Sequence, residues 1–563
     1  MSILQVGEDG ALNFKKIYEL LKFDTEDNAF ELLEKEGSAN SSSNKTVKVQ
    51  SAGTNTAHGL SVPLSIDAVT AELSGRFYSD INKDLIMRKL ILYDGSPILI
   101  VYINGMADAS EINDFIVRPI VNSTQNRVKT NARVFSANSK DAAHANKKLC
   151  ELRDIIQIAE SIMESDFEKA VDSVLDGMTA VFAENESSCI LLETRGFEKR
   201  SIGTAENETV VLGPKESFTE SLRTNLTLIR RIVHLNELVA EMLPSGGKNN
   251  TKTALVYIKG FANESLISEL KSRLCAVKLN GLTCSGMIEQ TIEDRHFLPL
   301  PQTLSTERPD RAASHIMQGC VCLLSDGSPF GIVLPITLFS LMNSPEDVYL
   351  RKPLGSLLRV IRYAGALISI LLPGYFLALA MYHQGGLSTE VLSTVISSRK
   401  MVFEPIAIEM ILLLLVFQLI REAGLRVPGS IGQAIGIIGG LIMGQAAVAA
   451  NLASSVVLII VAVSGLGNFC IPDYSLQLSA AYFRMTMVIA AWLGGLLGMV
   501  CAAMIITALI AGQKSFGVPY LSPYAPKAVS MRGILLRGRL QNCPRPDDQN
   551  NTSFDNRIGF NEN

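Results

Sequence analysis

The sequence predicts an α/β soluble N-terminal half made of two related subdomains, followed by an all-α, multi-span membrane domain. Three observations predict it. Apolar residues gather in three runs free of Asp, Glu, Lys and Arg: 27 residues from Tyr363, 46 from Val427 and 29 from Met485. A helix rising about 1.5 Å per residue needs about 20 apolar residues to cross hydrocarbon, so the runs suffice for one, two and one spans. No such run precedes residue 319, and there a β-branched strand, a glycine turn and a helix occur twice. Mean hydropathy is +0.24, with 47% hydrophobic and 19% charged residues over 563 positions. That balance argues against a disordered chain and against a wholly soluble enzyme.

The elements follow in order. Residues 1–65 read as a flexible tail and linker: 12–36 alternate charge with Leu and Phe, and 37–59 are rich in Ser, Asn, Thr and Gly. Subdomain 1 is assigned to 66–180. Asp84 to Leu92 is a strand candidate, Asp94-Gly95-Ser96-Pro97 a turn, and Ile98 to Ile103 a continuous apolar run suited to a buried strand. Asn104-Gly105 ends that strand, and a helix is expected from Ala109. Val101-Tyr102-Ile103-Asn104-Gly105-Met106-Ala107 recurs as Val256-Tyr257-Ile258-Lys259-Gly260-Phe261-Ala262, with eight identities in the 18 positions 101–118 at an offset of 155. The glycines suit a positive-φ turn. Subdomain 2 is assigned to 181–342, with a helix from Gly213–Ser217 to about Val233 and a hairpin turning at Asp326-Gly327-Ser328-Pro329. An interfacial linker (343–362), the membrane domain (363–513) and a C-terminal tail (514–563) complete the chain.

Net charge is 51 − 55 = −4, so no global basic field is available and no nucleic-acid partner is expected. The nine cysteines are scattered, and the spacing of Cys320 and Cys322 suits neither a zinc nor a redox pair; reduced, packed thiols are expected. The first residues lack a basic stretch followed by an apolar one, so no cleaved signal is expected. Ser245-Gly246-Gly247-Lys248-Asn249 departs from a phosphate loop, and neither Gly-x-Ser-x-Gly nor His-Glu-x-x-His occurs. The expectation is a protein without catalytic site, cofactor or metal.

Candidate functional residues lie in three places. Glu307, Arg308, Asp310 and Arg311 put four charges within six residues, open to reading as a solvated loop or as a salt-bridged junction between subdomains or subunits. Glu409 is an acid inside an apolar segment, a functional candidate by its cost there, whereas Glu404 before Pro405 suits a helix N-terminus. In residues 431–451, Gly432, Gly436, Gly440 and Gly444 repeat every fourth position, with Gln433, Gln445 and Asn451 adding amides. Close helix packing explains the glycines; glycines with amides on an uncharged helix also suit a water-filled pore, although the amides do not share one face.

Several motifs together resemble the A subunit of the GerA-type spore germination receptors. They are Leu298-Pro299-Leu300-Pro301-Gln302 with Thr306 to Arg311; Gln318-Gly319 through Asp326-Gly327-Ser328-Pro329-Phe330; Ser344-Pro345-Glu346-Asp347-Val348-Tyr349; Val427-Pro428 with Ile431 to Gly436; Ile471-Pro472-Asp473-Tyr474-Ser475; Ser515 to Pro523; and Glu216 to Asn225. The resemblance spans about residues 70–530. It implies a multi-pass subunit of the spore inner membrane. Its implied partners are a transporter-like integral membrane B subunit, which holds the small nutrient germinant, and a lipoprotein C subunit. It further implies a homo-oligomeric, germinant-gated cation channel. The competing reading is a secondary transporter or solute-binding membrane protein, disfavoured because the detectable repeat lies in the soluble half rather than among the spans.

Basic residues flank the membrane half at both ends: Arg351, Lys352, Arg359 and Arg362 before it, and six Lys or Arg with no acid in 514–545 after it. The positive-inside rule then places both flanks in the cytoplasm and requires an even number of crossings. Five spans are evident, 363–383, 402–420, 431–450, 454–471 and 485–512. A sixth is therefore expected in 385–398 or 473–484, or one of the five is re-entrant.

Overall fold

The computed structural model describes residues 61–92, 95–122, 147–196, 203–205, 207–244, 251–276, 284–294, 298–426, 440, 442 and 444–525. The N-terminal half contains two five-stranded antiparallel sheets. The first unit runs α1 (Ile66–Phe77), β1 (Leu85–Ile91), β2 (Pro97–Ile103), α2 (Ala109–Glu111) continuing into a π-helical turn (Ile112–Val117), α3 (Lys147–Ile155), β3 (Ser161–Glu164), α4 (Phe167–Leu175), β4 (Thr179–Ala183) and β5 (Cys189–Leu192). The second runs α5 (Leu222–Ile232), β6 (Leu238–Pro244), β7 (Lys252–Ile258), α6 (Glu264–Ala276), α7 (Ser285–Ile292), β8 (Leu304–Thr306), α8 (Pro309–Ile316), β9 (Val321–Ser325) and β10 (Gly331–Leu334).

Strand order is β1-β2-β4-β5-β3 in one sheet and β6-β7-β9-β10-β8 in the other, the same path with every strand number raised by five. The repeated segment occupies equivalent places. Val101 pairs with Ala180 on β4, and Val256 with Cys322 on β9. Gly105 and Gly260 follow β2 and β7 at φ 95° and 79°, the turn conformation a side chain disfavours. Each central strand reads as unbroken apolar sequence because both of its faces are covered. Leu99, Val101 and Ile103 pack toward α1 and α4, while Ile98 and Ile100 pack toward the π-turn and α3. In the second sheet Ala254, Val256 and Ile258 face α5 and α8, and Leu255 and Tyr257 face α6 and α7. Burying each aliphatic side chain contributes roughly 1.5–3 kcal/mol.

The Asp-Gly-Ser-Pro hairpin forms between β9 and β10. The expected helix at 213–233 starts later, at Leu222. Asn225 exchanges hydrogen bonds with the Thr219 backbone, and Ser221 accepts from the Thr224 N–H as N-cap, so the preceding residues form a capping turn instead.

The C-terminal half is helical: α9 (Leu338–Met342), α10 (Glu346–Tyr349), α11 (Lys352–Tyr382), α12 (Thr389–Arg399), α13 (Ile406–Arg426), α14 (Ser455–Phe469) and α15 (Tyr474–Ala511). Among the described residues α11 and α15 are long and apolar enough to cross a membrane. Only 33% and 11% of their apolar windows are buried, unlike the core helices of a soluble protein. Most of the expected span 431–450 lies outside the described residues, and α14, at 15 residues, is shorter than expected.

A straight helix of 38 residues would measure about 57 Å. Instead α15 reverses at Gly495, whose φ of 58° and ψ of −141° are non-helical. Beyond it the chain folds back so closely that a side chain at Gly498 would collide with the Ala490 carbonyl, eight residues earlier. Both limbs lie beside α11. Gly374 meets the Met487 backbone and the Met499 sulfur, and the Tyr382 hydroxyl donates to Trp492 O at 2.6 Å. The short segment 473–484, one of the places considered for a sixth crossing, thus leads into the first limb, which begins at Tyr474.

Candidate functional site

The α/β half and the bundle meet in one packed interface. Ile471, Leu476, Ala480 and Phe483 of the bundle join the core cluster of the second sheet. Residues 514–525, assigned from the sequence to the tail, fold back onto the same unit. β11 (Lys514–Ser515) and β12 (Val518–Pro519) form a small hairpin, and Phe516 and Tyr520 are fully buried. The segment Pro299–Gln302 receives donors from the helical half at three successive places. Ser479 Oγ donates to Pro299 O, Tyr520 OH to Pro301 O at 2.9 Å, and Ser515 Oγ to Gln302 O at 2.6 Å.

The charged cluster borders this interface. Arg308, 1% exposed, grips Asp310 in bidentate fashion at 3.0 and 2.7 Å and donates to Pro214 O and Glu208 O. Arg311 pairs with Glu208 at 2.8 Å and reaches Asn343 O at 3.1 Å. Glu307 accepts from the Asn207 backbone and side chain, while Asp310 accepts from the Tyr349 hydroxyl at 2.8 Å. Burial, with that hydrogen bond adding to it, pushes the Tyr349 phenol up to about 12. The four residues thus connect the 207–214 loop to the segment leading into α11. Bidentate geometry at buried Arg308 fixes orientation as well as charge.

Next to it lies a pair of arginines that sequence reasoning did not single out. Asp347, completely buried, accepts from Arg359 Nε at 3.1 Å and from both Arg362 nitrogens at 2.8 and 3.0 Å. Asp347 was visible only as part of a motif, and the two arginines only as membrane-flanking charge. Their i, i+3 spacing, which places both on one helix face, was the available signal.

Within the bundle, Glu409 is 1% exposed. Its Oε1 accepts from Ser454 N at 2.6 Å and Ser454 Oγ at 2.7 Å, and Arg399 lies 3.3 Å from Oε2. It therefore ties the start of α13 to the N-cap of α14. Glu404 is exposed, and its backbone carbonyl accepts from Arg399. Of the pore-lining candidates, Gln433 and Gly436 lie outside the described residues. Gly440, Gln445 and Asn451 are exposed, and Gly444 is half-buried against Leu458.

Where the two α/β units meet, a cavity of about 350 Å³ opens beside the Gly105 turn, lined by Asp108, Ser110, Arg223, Thr227 and Arg231 among others. The buried ion pair Arg230–Asp84, 3.1 Å, crosses between the units. No cluster of three or more His, Cys, Asp or Glu able to hold a metal exists among the described residues.

A paired α/β module fastened to an apolar helical bundle by a shared core and hydrogen bonds to buried acceptors defines a membrane-associated protein with a large polar domain. The family model of the Bacillus/Clostridium GerA spore germination protein matches residues 72–547, and the chain belongs to this family. It is 34% identical to spore germination protein A1 of Bacillus subtilis over 78% of this chain and 87% of that one. It is 32% identical to spore germination protein GerLA of Bacillus cereus, over 79% and 87% respectively. The N-terminal domain of the A subunit of the Bacillus megaterium spore germinant receptor GerK3 aligns with 50% of this chain and 98% of its own, at a TM-score of 0.37 and 23% identity.

Proposed function

We propose that this chain is the membrane subunit of a nutrient germinant receptor that triggers spore germination, and that copies of it assemble into a germinant-gated cation channel. Its family membership supports a role in germination. The observation that carries the channel reading is the exposure of small and amide residues between 440 and 451. Gly440, Gln445 and Asn451 are exposed on a charge-free segment, leaving amides and small residues for neighbouring copies and for water. In this reading the transporter-like B subunit holds the nutrient and a lipoprotein C subunit completes the complex in the spore inner membrane.

Helix directions support an even number of crossings. α11 leaves the α/β half and α14 returns to it, since Gly365 meets Gly467 while Ser369 O accepts from Ser464. α13 runs parallel to α14, with Glu409 at Ser454 and Phe417 at Gly465. Two parallel helices in succession require one crossing between them, the two limbs of α15 add a pair, and in this reading six crossings leave both polar flanks on the cytoplasmic side. The test is potassium release measured beside complex abundance for Gly440→Leu, Gln445→Leu and smaller substitutions along 431–451. Variants that assemble normally yet block release, or release without germinant, support the channel. If release falls only in proportion to lost complex, the assignment fails.

A further inference from the structure

Two further arginines are buried inside the bundle. Arg484, on the first limb of α15, is 1% exposed, and Arg421, near the end of α13, is 8% exposed. Neither forms an ion pair with a carboxylate among the described residues. The charged group that acts on Arg484 is Arg421, another cation. The sequence explains the lack. From 363 to 513 the acids are Glu390, Glu404, Glu409, Glu422 and Asp473 alone, and the segment 427–472 has none. Glu409 is committed to Ser454, and Asp473 accepts from Leu476 N as N-cap of α15.

What surrounds the pair is neutral. Arg484 Nη1 donates to Ser464 Oγ at 3.3 Å, and its guanidinium lies 5.8 Å from the Phe417 ring centre. With its amide turned to satisfy both ends, buried Asn468 accepts from Arg421 Nη1 at 2.7 Å, and the Tyr474 ring lies 6.0 Å from that guanidinium. Arg421 Nε and Nη2 and Arg484 Nε, all shielded from solvent, have no acceptor among the described residues. Ser464 and Asn468 are one helical turn apart on α14, as are Phe417 and Arg421 on α13. The two guanidinium groups therefore bind neighbouring turns of α14. An anion shared by them would supply the charge-assisted hydrogen bonds that their buried N–H groups lack.

We propose that Arg421 and Arg484 form a buried site for a small inorganic anion of chloride size, held between α13, α14 and α15. Aromatic faces and a neutral amide attract guanidinium but leave its charge in place, and a buried charge needs an opposite one. An ion of this size needs less room between packed helices than a lipid headgroup with its glycerol. The ion joins three helices that no carboxylate joins at this level.

The experiment uses the full chain purified in detergent, with its partner subunits where they co-purify. Melting temperature is compared in sodium chloride, sodium bromide and sodium gluconate at matched ionic strength. Chloride and bromide are expected to raise it by about 3 °C over gluconate. Arg421→Gln and Arg484→Gln should abolish the difference, while Arg231→Gln, on the α/β half, should keep it. If one arginine variant fails to fold, the other variant and the wild-type salt comparison still decide. Superimposed wild-type melting curves overturn the proposal. So does stabilisation that requires phosphatidylglycerol and ignores chloride, because the occupant would then be a lipid.

Discussion

Replacing Asp347 with Asn should destabilise the junction far more than any surface change. The carboxylate is fully buried and accepts three hydrogen bonds from Arg359 and Arg362, whose side chains are 9% and 12% exposed. An amide of the same size removes the negative charge, turns one acceptor into a donor and takes from two buried cations the carboxylate they share. Removing one partner of a buried ion pair costs about 3–5 kcal/mol, and Asp347→Asn is expected in that range. Asp67→Asn is the control: its pair with Lys89 is exposed and contributes about 0–1 kcal/mol. Thermal unfolding of the purified full chain and steady-state abundance in membranes are the readouts. Removing all three charges together, as Asp347→Leu with Arg359→Met and Arg362→Met, should recover part of the loss, because no orphan charge then stays buried. If Asp347→Asn changes stability by less than about 1 kcal/mol, or no more than Asp67→Asn, the cluster is not the anchor inferred here.

Three further outcomes are expected. A cysteine at Gly494, where a new side chain meets open space, should react with a membrane-impermeant maleimide from the outer face, whereas protection would restore a straight α15. Ser454→Ala removes both the N-cap of α14 and one hydrogen bond to Glu409, and should cost about 1–2 kcal/mol in thermal unfolding. Burial, with Glu289 next to it, raises the Glu293 carboxyl from 4.5 to about 7. Its protonated form is thus favoured in the folded chain, so stability should fall as pH rises from about 4.5 to 7 and level off above. In Glu293→Gln that slope should shrink, and an unchanged pH profile would contradict the assignment.

The α/β half was legible because its signals are local. Ile98 to Ile103 is continuous, apolar and β-branched, and Gly105 and Gly260 sit where a strand must turn, so the 155-residue offset marks equivalent strands in two sheets of one topology. The bundle was less legible because charge-free length measures hydrocarbon, not helix ends. Arg484 interrupts the apolar run and set the expected span to begin at 485, yet it is buried and the helix starts at Tyr474. Gly494-Gly495 inside an apolar run reads like any small-residue packing stripe, and only the backbone angles at Gly495 show that the chain reverses there.

The segment Leu298-Pro299-Leu300-Pro301-Gln302 shows why a motif can be seen while its role is not. Proline has no N–H and supports neither a helix interior nor a central strand, so the carbonyls here are not claimed by regular structure and stay free to accept. Their donors are Ser479, Tyr520 and Ser515, between 180 and 219 residues away in sequence. No local pattern announces partners so distant. The prolines keep the bent segment out of regular structure, and three carbonyls in four residues reach the start of α15 and the hairpin that follows it. Ser479 belongs to the helix leaving the α/β half and Tyr520 to the hairpin after the chain comes back. This group of acceptors fixes the bundle to the second sheet without help from any charge, and the Asp347 cluster fixes α11 separately. The two attachments share no residue, so their losses should be independent. Ser479→Ala combined with Asp347→Asn is expected to add within about 0.5 kcal/mol, and a larger interaction energy would show that the attachments act as one.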